Sequence, residues 1–402
     1  MMIAKDVDLP MMDFSLEFPD DHARYRHYRN LAPVCRTPIG SYIALRHRHG
    51  PIATHPEMTR QMEMESMALQ GIASGPIYDF FEAAMLFANG DAHRRRRGPV
   101  SRAFAFKMVE GMRNGVAALA EEIVRERLGK GPFDFLYEVA GEIPARVIAG
   151  ALGVPQEDAG KFRDWVYGAI RMIGLHDPAI RPQIERDVES LVGYVDDLLS
   201  ARRRRPEDDF MSRYLFEVES AGEMSPAEIR TQIAGVILAG ADTTRLSIAA
   251  TLTRLLQHPE QWVAFCADPD ALKKRVAEEG LRYDPAVSGV PRFALADLDI
   301  DGCRVPKDSV LSWSIMSSMR DDEVYADPDR FDIFRTDHPR WSPAFGAGAH
   351  RCLGEALARA ELEETLAAIA RLAPRTTLVG APPRVFGVAG VRQIDRMEAA
   401  FA

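Results

Sequence analysis

The strongest constraint on the fold is one long helical segment in the second half of the chain. It begins at Ser225 and has no breaker until His258-Pro259. Ser225-Pro226-Ala227-Glu228 combines an N-cap serine, a proline at the first helical position and a glutamate at the third, which is a capping box with a proline start. At a rise of ~1.5 Å per residue, such a helix spans roughly 50 Å. Because residues 233–239 are apolar on all sides, we expect it to run through the middle of a large domain.

Most of the remaining chain also has helical patterns, with apolar residues at helical spacing in residues 116–128 and 184–205. Strand signals are few and short. Residues 290–310 alternate between apolar and polar side chains around Asp301-Gly302, which indicates a hairpin, and residues 383–394 indicate another small sheet or a loop. The pattern predicts a mainly α protein with small β-sheets.

Composition excludes several classes of protein. The chain has 402 residues, 47% hydrophobic and 27% charged, which is ordinary for a globular protein and rules out a disordered, fibrous or disulfide-scaffold chain. The formal net charge of −9 argues against a nucleic-acid partner. Length alone allows two or three domains or one large one.

Cysteine usage and apolar runs predict a soluble, cytoplasmic protein without a membrane anchor. Four cysteines are scattered without CxxC spacing, which fits a reduced compartment. The N-terminal residues contain no apolar core for a signal peptide, and the longest apolar stretch, residues 233–241, is too short to cross a bilayer.

The most informative segment is FGAGAHRCLG at residues 345–354, directly before a strongly patterned helix. Its cysteine, Cys352, is predicted to lie at a helix N-terminus, where the helix dipole stabilises a thiolate and lowers its pKa. Gly346 and Gly348 permit backbone conformations that let the loop approach something flat and bulky. A lone cysteine is more often a small buried hydrophobic residue. The glycine spacing and His350 favour the functional interpretation.

This segment resembles the haem-binding loop of the cytochrome P450 family. The positions that carry the resemblance are Phe345, Gly346, Gly348, His350, Cys352 and Gly354. The resemblance implies one cytochrome P450 domain over residues 1–402, with the long helix above a haem b cofactor. It also implies that Cys352 is the thiolate ligand of the haem iron, that its electron density favours O–O cleavage, and that Phe345, Gly346 and Gly354 shape the cofactor site.

A second motif resembles the ExxR motif of the same family. Glu279 and Arg282 lie three residues apart on one predicted helix face, and such a pair alone means little. The family completes the pair with an arginine from a Pro-x-Arg-Phe stretch, which residues 328–331 supply with Arg330. The implied role is a buried ion network that holds the cysteine loop.

In the middle of the long helix, residues 239–244 read AGADTT. Aspartate and threonine are poor helix-interior residues, and a buried Asp242 costs several kcal/mol unless it is paired. A polar stripe facing solvent is the alternative, but the flanking residues are apolar. The segment resembles the acid–alcohol pair of the family, which implies that Thr243 stabilises bound dioxygen and that Asp242 relays protons to it. Arg245 departs from the aliphatic residue that many relatives carry.

Residues 93–97 read HRRRR, which by themselves fit a solvated helix face or, less well, a nucleic-acid patch. They resemble the family's His-x-x-x-Arg stretch, which implies that His93 and Arg97 bind the haem propionates together with Arg292 and His350. The remaining basic residues would lie near the proximal surface and steer an acidic redox partner. They are Arg94, Arg95, Arg96, Arg102 and Lys107.

The resemblance implies a monooxygenase that uses dioxygen, with electrons from NAD(P)H through a separate NAD(P)H-dependent ferredoxin reductase and a ferredoxin. Between Arg60 and His93 there is no lysine or arginine, so we expect a small apolar or aromatic substrate rather than an acid. A haem-thiolate peroxygenase and a non-catalytic haem sensor are the alternatives. The predicted pocket residues are Ile72, Ile77, Tyr78, Phe80, Phe81, Met85, Leu86, Leu238, Ala239, residues 287–290, Val388 and Ala389.

Overall fold

A computed structural model describes residues 9–104, 106–155, 158–173 and 176–402. It is mainly helical with small sheets, which confirms the predicted fold class. In chain order, the helices are α1 (Asp21–Leu31), α2 (Gly50–Ala53), α3 (Glu65–Leu69), α4 (Pro76–Ala83), α5 (Gly90–Ala103), α6 (Phe106–Arg127), α7 (Glu142–Leu152), α8 (Ala159–Ala169), α9 (Arg181–Arg204), α10 (Phe210–Ala221), α11 (Pro226–Gln257), α12 (Pro259–Ala267), α13 (Pro269–Tyr283), α14 (Ile315–Ser318) and α15 (Glu355–Leu372).

The strands are short and form four small sheets among the described residues. They are β1 (Val34–Arg36), β2 (Tyr42–Ala44), β3 (Thr59–Gln61), β4 (Phe133–Asp134), β5 (Gly289–Ala294), β6 (Leu298–Ile300), β7 (Cys303–Val305), β8 (Val310–Ser314), β9 (Thr377–Val379), β10 (Val385–Phe386), β11 (Gln393–Ile394) and β12 (Glu398–Ala400). The largest sheet has the order β1-β2-β8-β5-β3, with β2 and β8 parallel and its other pairs antiparallel.

The predicted hairpin is present, and the segment predicted as a small sheet or a loop forms a sheet. β6 and β7 pair antiparallel around Asp301 and Gly302, which have φ angles of 53° and 81°, as a tight hairpin turn requires. β10 pairs with β11 in the second sheet. The flanking strands β5 and β8 instead join the five-stranded sheet. The alternating segment of residues 290–310 therefore contributes strands to two different sheets.

Helix α11 begins and ends where the sequence predicts. The Ser225 hydroxyl accepts a bond of 3.2 Å from the Glu228 N–H, and the Glu228 carboxylate accepts one of 2.9 Å from the Ser225 N–H. The helix contacts α4, α5, α7, α8, α9, α12, α13 and α15. By length and composition it could cross a membrane, but 61% of its most apolar window is buried inside the protein. That degree of burial is typical of a core helix.

Helix α15 places the cysteine loop, which immediately precedes it. It packs on α6 and α13 on one side and contacts α11 on another. Its buried residues include Leu362, Leu366 and Ile369, which are spaced four and three residues apart as on one face of a helix. The loop is therefore anchored to the same core that contains α11.

Candidate active site

The cysteine loop is shaped by two glycines and closed by backbone hydrogen bonds. Gly346 and Gly348 have φ angles of 70° and 67°, which side chains rarely adopt. A Cβ atom on Gly348 would also lie 3.1 Å from the Thr54 carbonyl oxygen. The Cys352 N–H donates to the Phe345 carbonyl at 2.9 Å. As predicted, Cys352 lies just before the first turn of α15.

Many protein atoms surround the Cys352 side chain, but open space remains beside its surface. The thiol therefore faces an internal space. Burial raises the pKa of its thiol, against the lowering effects of the Gly354 N–H, Arg97 and Arg351. The helix end therefore does not lower this pKa as expected, because desolvation outweighs it. Coordination to a metal cation deprotonates a thiol outright, so such a sulfur is suited to a metal-bound cofactor.

Four predicted cofactor-binding side chains come together beside this loop. The rings of His93 and His350 have centroids 4.0 Å apart. Burial, followed by the charge of Arg97, lowers the pKa of His93 to about 4, while burial and His93 lower the pKa of His350 to about 3. Burial also lowers the pKa of Arg292 to about 10. The two arginines disfavour the charged forms of both histidines, and such a concentration of cationic and donor groups is suited to receive anions.

Two atoms of this cluster are buried without a partner, Nε2 of His93 and Nε of Arg292. Unpaired buried donors are costly, and a ligand with acceptor atoms bound at this place would satisfy both of them. Arg97 uses Nη2 to donate to the Arg351 carbonyl at 2.5 Å, which ties it to the cysteine loop. The donor set, with Cys352 beside it, fits a haem with two propionate groups.

The ExxR pair is fully buried, but its third partner differs from the prediction. Arg282 donates to both carboxylate oxygens of Glu279, at 2.6 and 2.8 Å. Arg335, 5% exposed, lies 3.5 Å from the same carboxylate. Arg330 contributes only its carbonyl oxygen to Arg282, and its own side chain is 65% exposed near Asp332. The expectation for Arg330 is wrong, because that side chain turns outwards to solvent.

In the middle of α11, Thr243 donates through Oγ1 to the Ala239 carbonyl at 2.9 Å, the back-bond expected from the sequence. Asp242 is 16% exposed and forms an ion pair with Arg245 one turn along the helix. This ion pair offsets the cost of burying the Asp242 carboxylate, so the aspartate is accommodated in an apolar helix.

Arg245 also stacks on the ring of Tyr167 in α8, with 4.4 Å between its guanidinium carbon and the ring centroid. The Tyr167 hydroxyl donates to the Gly141 carbonyl at 2.9 Å. A Cβ atom on Gly141 would lie 3.1 Å from Cδ of Arg245, so this glycine makes room for the side chain. The acid–alcohol pair is thus connected to α8 through Arg245.

Two residues near the site have no signal in the sequence. Burial raises the pKa of Glu361 in α15 to about 8, although a hydrogen bond with Thr244 lowers it. Gln232 in α11 accepts from the Met85 N–H at 2.7 Å and donates to the Ala83 carbonyl at 2.8 Å, so it positions the segment after α4. Glutamates and glutamines are common in helices, and only tertiary contacts distinguish these two.

The predicted pocket residues differ in exposure. Ile72, Ile77, Phe80, Phe81 and Leu238 are buried in the main apolar core. Tyr78 and Met85 are partly buried against that core, whereas Leu86 is 41% exposed. Val388 packs on a separate cluster that contains Tyr25 and Met316.

The predicted basic surface is largely neutralised within the chain. Arg95 and Arg96 both pair with Glu228, at 2.7 and 2.9 Å, and Arg102 pairs with Glu217 at 2.5 Å. Arg94 pairs with Asp91. The side chain of Lys107 lies outside the described residues. These arginines therefore offer less free positive charge to a partner than their number implies.

Comparison with known proteins decides the family. A family model described as cytochrome P450 matches residues 70–262 and 272–371. The chain belongs to the cytochrome P450 family. It is 38% identical over 382 residues to "Cytochrome P450-pinF1, plant-inducible" of Rhizobium radiobacter, covering 94% of this chain and 89% of that protein. It is 30% identical over 377 residues to the luteothin monooxygenase of Streptomyces thioluteus, covering 91% and 90%.

Solved structures show the same fold. The crystal structure of CalO2 has a TM-score of 0.87 at 26% identity and covers 95% of this chain and 96% of that one. An epothilone D-bound cytochrome P450epoK has a TM-score of 0.84 at 25% identity, covering 96% and 99%. This cytochrome P450 is accordingly an oxidoreductase of the monooxygenase type, and haem, dioxygen and redox partners are what its family uses.

Proposed function

We propose that residues 1–402 form one haem-thiolate monooxygenase unit that binds haem b. In this proposal, Cys352 ligates the iron, and Phe345, Gly346 and Gly354 shape the loop around it. His93, Arg97, Arg292 and His350 hold the propionates. The observation that carries the proposal is the cluster of cationic and donor groups, two of them buried with unpaired nitrogens, beside the loop that presents Cys352.

The proposed reaction inserts one atom of dioxygen into the substrate, and the other leaves as water with two electrons and two protons. The bound haem would supply dioxygen activation. The protons come from solvent water, and side chains of this chain relay them. The hydroxyl oxygen of Thr243 keeps free lone pairs while its hydrogen donates to Ala239, so it can accept a hydrogen bond from water. Asp242 lies next to it and would pass a proton once its carboxylate leaves Arg245.

The substrate we propose is a small apolar or aromatic molecule. The segments around α4, which we propose line the pocket, are rich in apolar side chains, and residues 61–92 contain no lysine or arginine. Relatives of this chain include steroid C26-monooxygenases, one of them from Rhodococcus jostii at 32% identity. Binding by shape with one or two hydrogen bonds is what such a lining favours.

Electrons would reach the protein from NAD(P)H through a separate ferredoxin reductase and ferredoxin, in the cytoplasm. The described arginines that we assign to the proximal surface are ion-paired, so we expect docking to depend less on salt than docking to a purely basic surface would. Arg351 at the cysteine loop, for example, is paired with Glu355 at 2.6 Å.

The decisive comparison is between two oxidant supplies with one substrate. A spectral-shift screen of terpenoids, simple aromatics, fatty acids and steroids selects the substrate. We expect product with NAD(P)H, reductase and ferredoxin, and far less with hydrogen peroxide alone. Efficient turnover by peroxide alone would indicate a peroxygenase, binding without product under full electron supply would indicate a sensor, and a screen that selects only charged acids would contradict the substrate class.

A further inference from the structure

Helix α1 contacts a loop that lies at the other end of the sequence. Residues 387–392 connect β10 to β11, and we call them the C-terminal loop. Asp21 accepts a hydrogen bond from the Gly387 N–H at 2.9 Å, and the Tyr25 hydroxyl donates to the Val388 carbonyl at 3.1 Å. Nε2 of His22 lies 3.4 Å from Nη1 of Arg392. One face of α1 therefore holds the backbone of this loop.

The contact between His22 and Arg392 belongs to a buried charged cluster. The Arg392 side chain is 0% exposed and Asp284, at the end of α13, is 1% exposed, with 3.4 Å between Nη1 and Oδ1. His22 lies 3.1 Å from the same Asp284 oxygen, and Arg254 lies 2.7 Å from the other. Breaking a buried ion pair by removing one partner is strongly destabilising, so the cluster holds its members firmly in place.

The same cluster ties the C-terminal loop to a second segment, residues 285–288. The backbone N–H of Arg392 donates to the Ala286 carbonyl at 2.8 Å. The backbone N–H of Ser288 donates to the Gly390 carbonyl at 2.9 Å. An isolated antiparallel bridge joins Val287 to Val391. The two segments are therefore joined through their backbones, and the predicted pocket residues include 287–288 from one segment and Val388 and Ala389 from the other.

We propose that Asp21, His22 and Tyr25 of α1 are positioning residues for the substrate pocket. They act through the C-terminal loop and its partner segment, and they set how bulky a molecule the pocket accepts without touching that molecule. This inference rests on the proposed function, because the pocket exists only above a bound haem. It assigns α1 a role in specificity.

The test uses two iron-binding probes of different bulk, imidazole and 4-phenylimidazole, on the haem-loaded protein. Tyr25→Phe removes one hydroxyl and keeps the buried ring. We expect its affinity for 4-phenylimidazole to fall about fivefold, the equivalent of one hydrogen bond, while its affinity for imidazole stays within about twofold. Asp21→Ala provides an independent variant that removes the contact with Gly387, and it should change the same ratio in the same direction.

The matched control is Tyr28→Phe on the same helix. The Tyr28 hydroxyl accepts from the Asp13 N–H at 2.7 Å, outside the C-terminal loop, and Phe keeps the buried ring, so this variant should leave both affinities unchanged. Equal effects on the two probes, or an effect of Tyr28→Phe as large as that of Tyr25→Phe, would overturn the inference. A wild-type protein that fails to form the carbon monoxide complex of a haem thiolate would instead contradict the proposed function.

Discussion

At the scale of single residues, Thr243 carries the clearest catalytic expectation. We expect Thr243→Ala to consume NAD(P)H while releasing peroxide, with product per NAD(P)H falling about tenfold or more, because the hydroxyl that orders the proton path is gone. Oxygen, peroxide and product balances measure this.

Thr253→Ala is the matched control for that variant. Thr253 lies in the same helix and makes the same back-bond, to the Ala249 carbonyl at 2.8 Å, away from the site. It should keep normal coupling. If Thr243→Ala couples as well as Thr253→Ala, Thr243 has no place in the proton path.

The raised pKa of Glu361 predicts how the free energy of unfolding varies with pH. Its pKa is about 8 in the folded protein and near the ordinary 4.5 when unfolded, so the folded state binds this proton more tightly. The stability that this proton contributes is complete below about pH 4.5 and is lost as pH rises towards about 8. Glu361→Gln removes this dependence, so its stability relative to wild type should increase from pH 5 to pH 8 in denaturant titrations.

Glu260→Gln, an exposed change in α12, should follow the wild-type pH profile in the same titrations. A constant difference between Glu361→Gln and wild type across this range would mean that Glu361 is already ionised in the folded protein.

Which of two nearby arginines turns inwards could not be predicted from the sequence. Arg330 and Arg335 both follow the ExxR helix, and the resemblance selected Arg330. The side-chain direction depends on how the segment before the cysteine loop folds, and that segment directs Arg335 towards Glu279. The pairing of Asp242 with Arg245 was likewise undecided, because it depends on space left by Gly141, which lies just before α7.

At the scale of elements, α11 was predictable because its signals are local. A capping serine, a proline and a glutamate act within one turn, and a proline follows its end. The sheet β1-β2-β8-β5-β3 was not predictable, because it joins strands far apart in the chain and each is too short to carry a clear pattern. The contact between α1 and the C-terminal loop has the same nonlocal origin.

The capping box of α11 gives a test at this scale. Ser225→Ala removes the side-chain acceptor of the Glu228 N–H and should lower the free energy of unfolding by about 1 kcal/mol. Ser220→Ala, an exposed change in α10, should have little effect. Chemical denaturation of both variants measures the difference. Equal stability of the two variants would show that the cap contributes nothing here.

At the scale of the whole molecule, the resemblance to a family predicted more of the candidate site than any local sequence pattern did. Motifs far apart in the sequence, at His93, Arg292, His350 and Cys352, had meaning together only through that resemblance, and the fold brings them to one place. Surface electrostatics could not be predicted in the same way. The positive charges of Arg95 and Arg96 can be read from the sequence, but their shared ion pair with Glu228 cannot.

The most direct test of the account is the carbon monoxide difference spectrum of the reduced, haem-loaded protein. We expect a band at about 450 nm in the wild type and its loss in Cys352→Ser, because only a thiolate ligand produces that band. Cys266→Ser, which changes a half-buried cysteine in α12, should keep it. A band at this wavelength that survives in Cys352→Ser would contradict the assignment of Cys352 as the iron ligand and, with it, the proposed site.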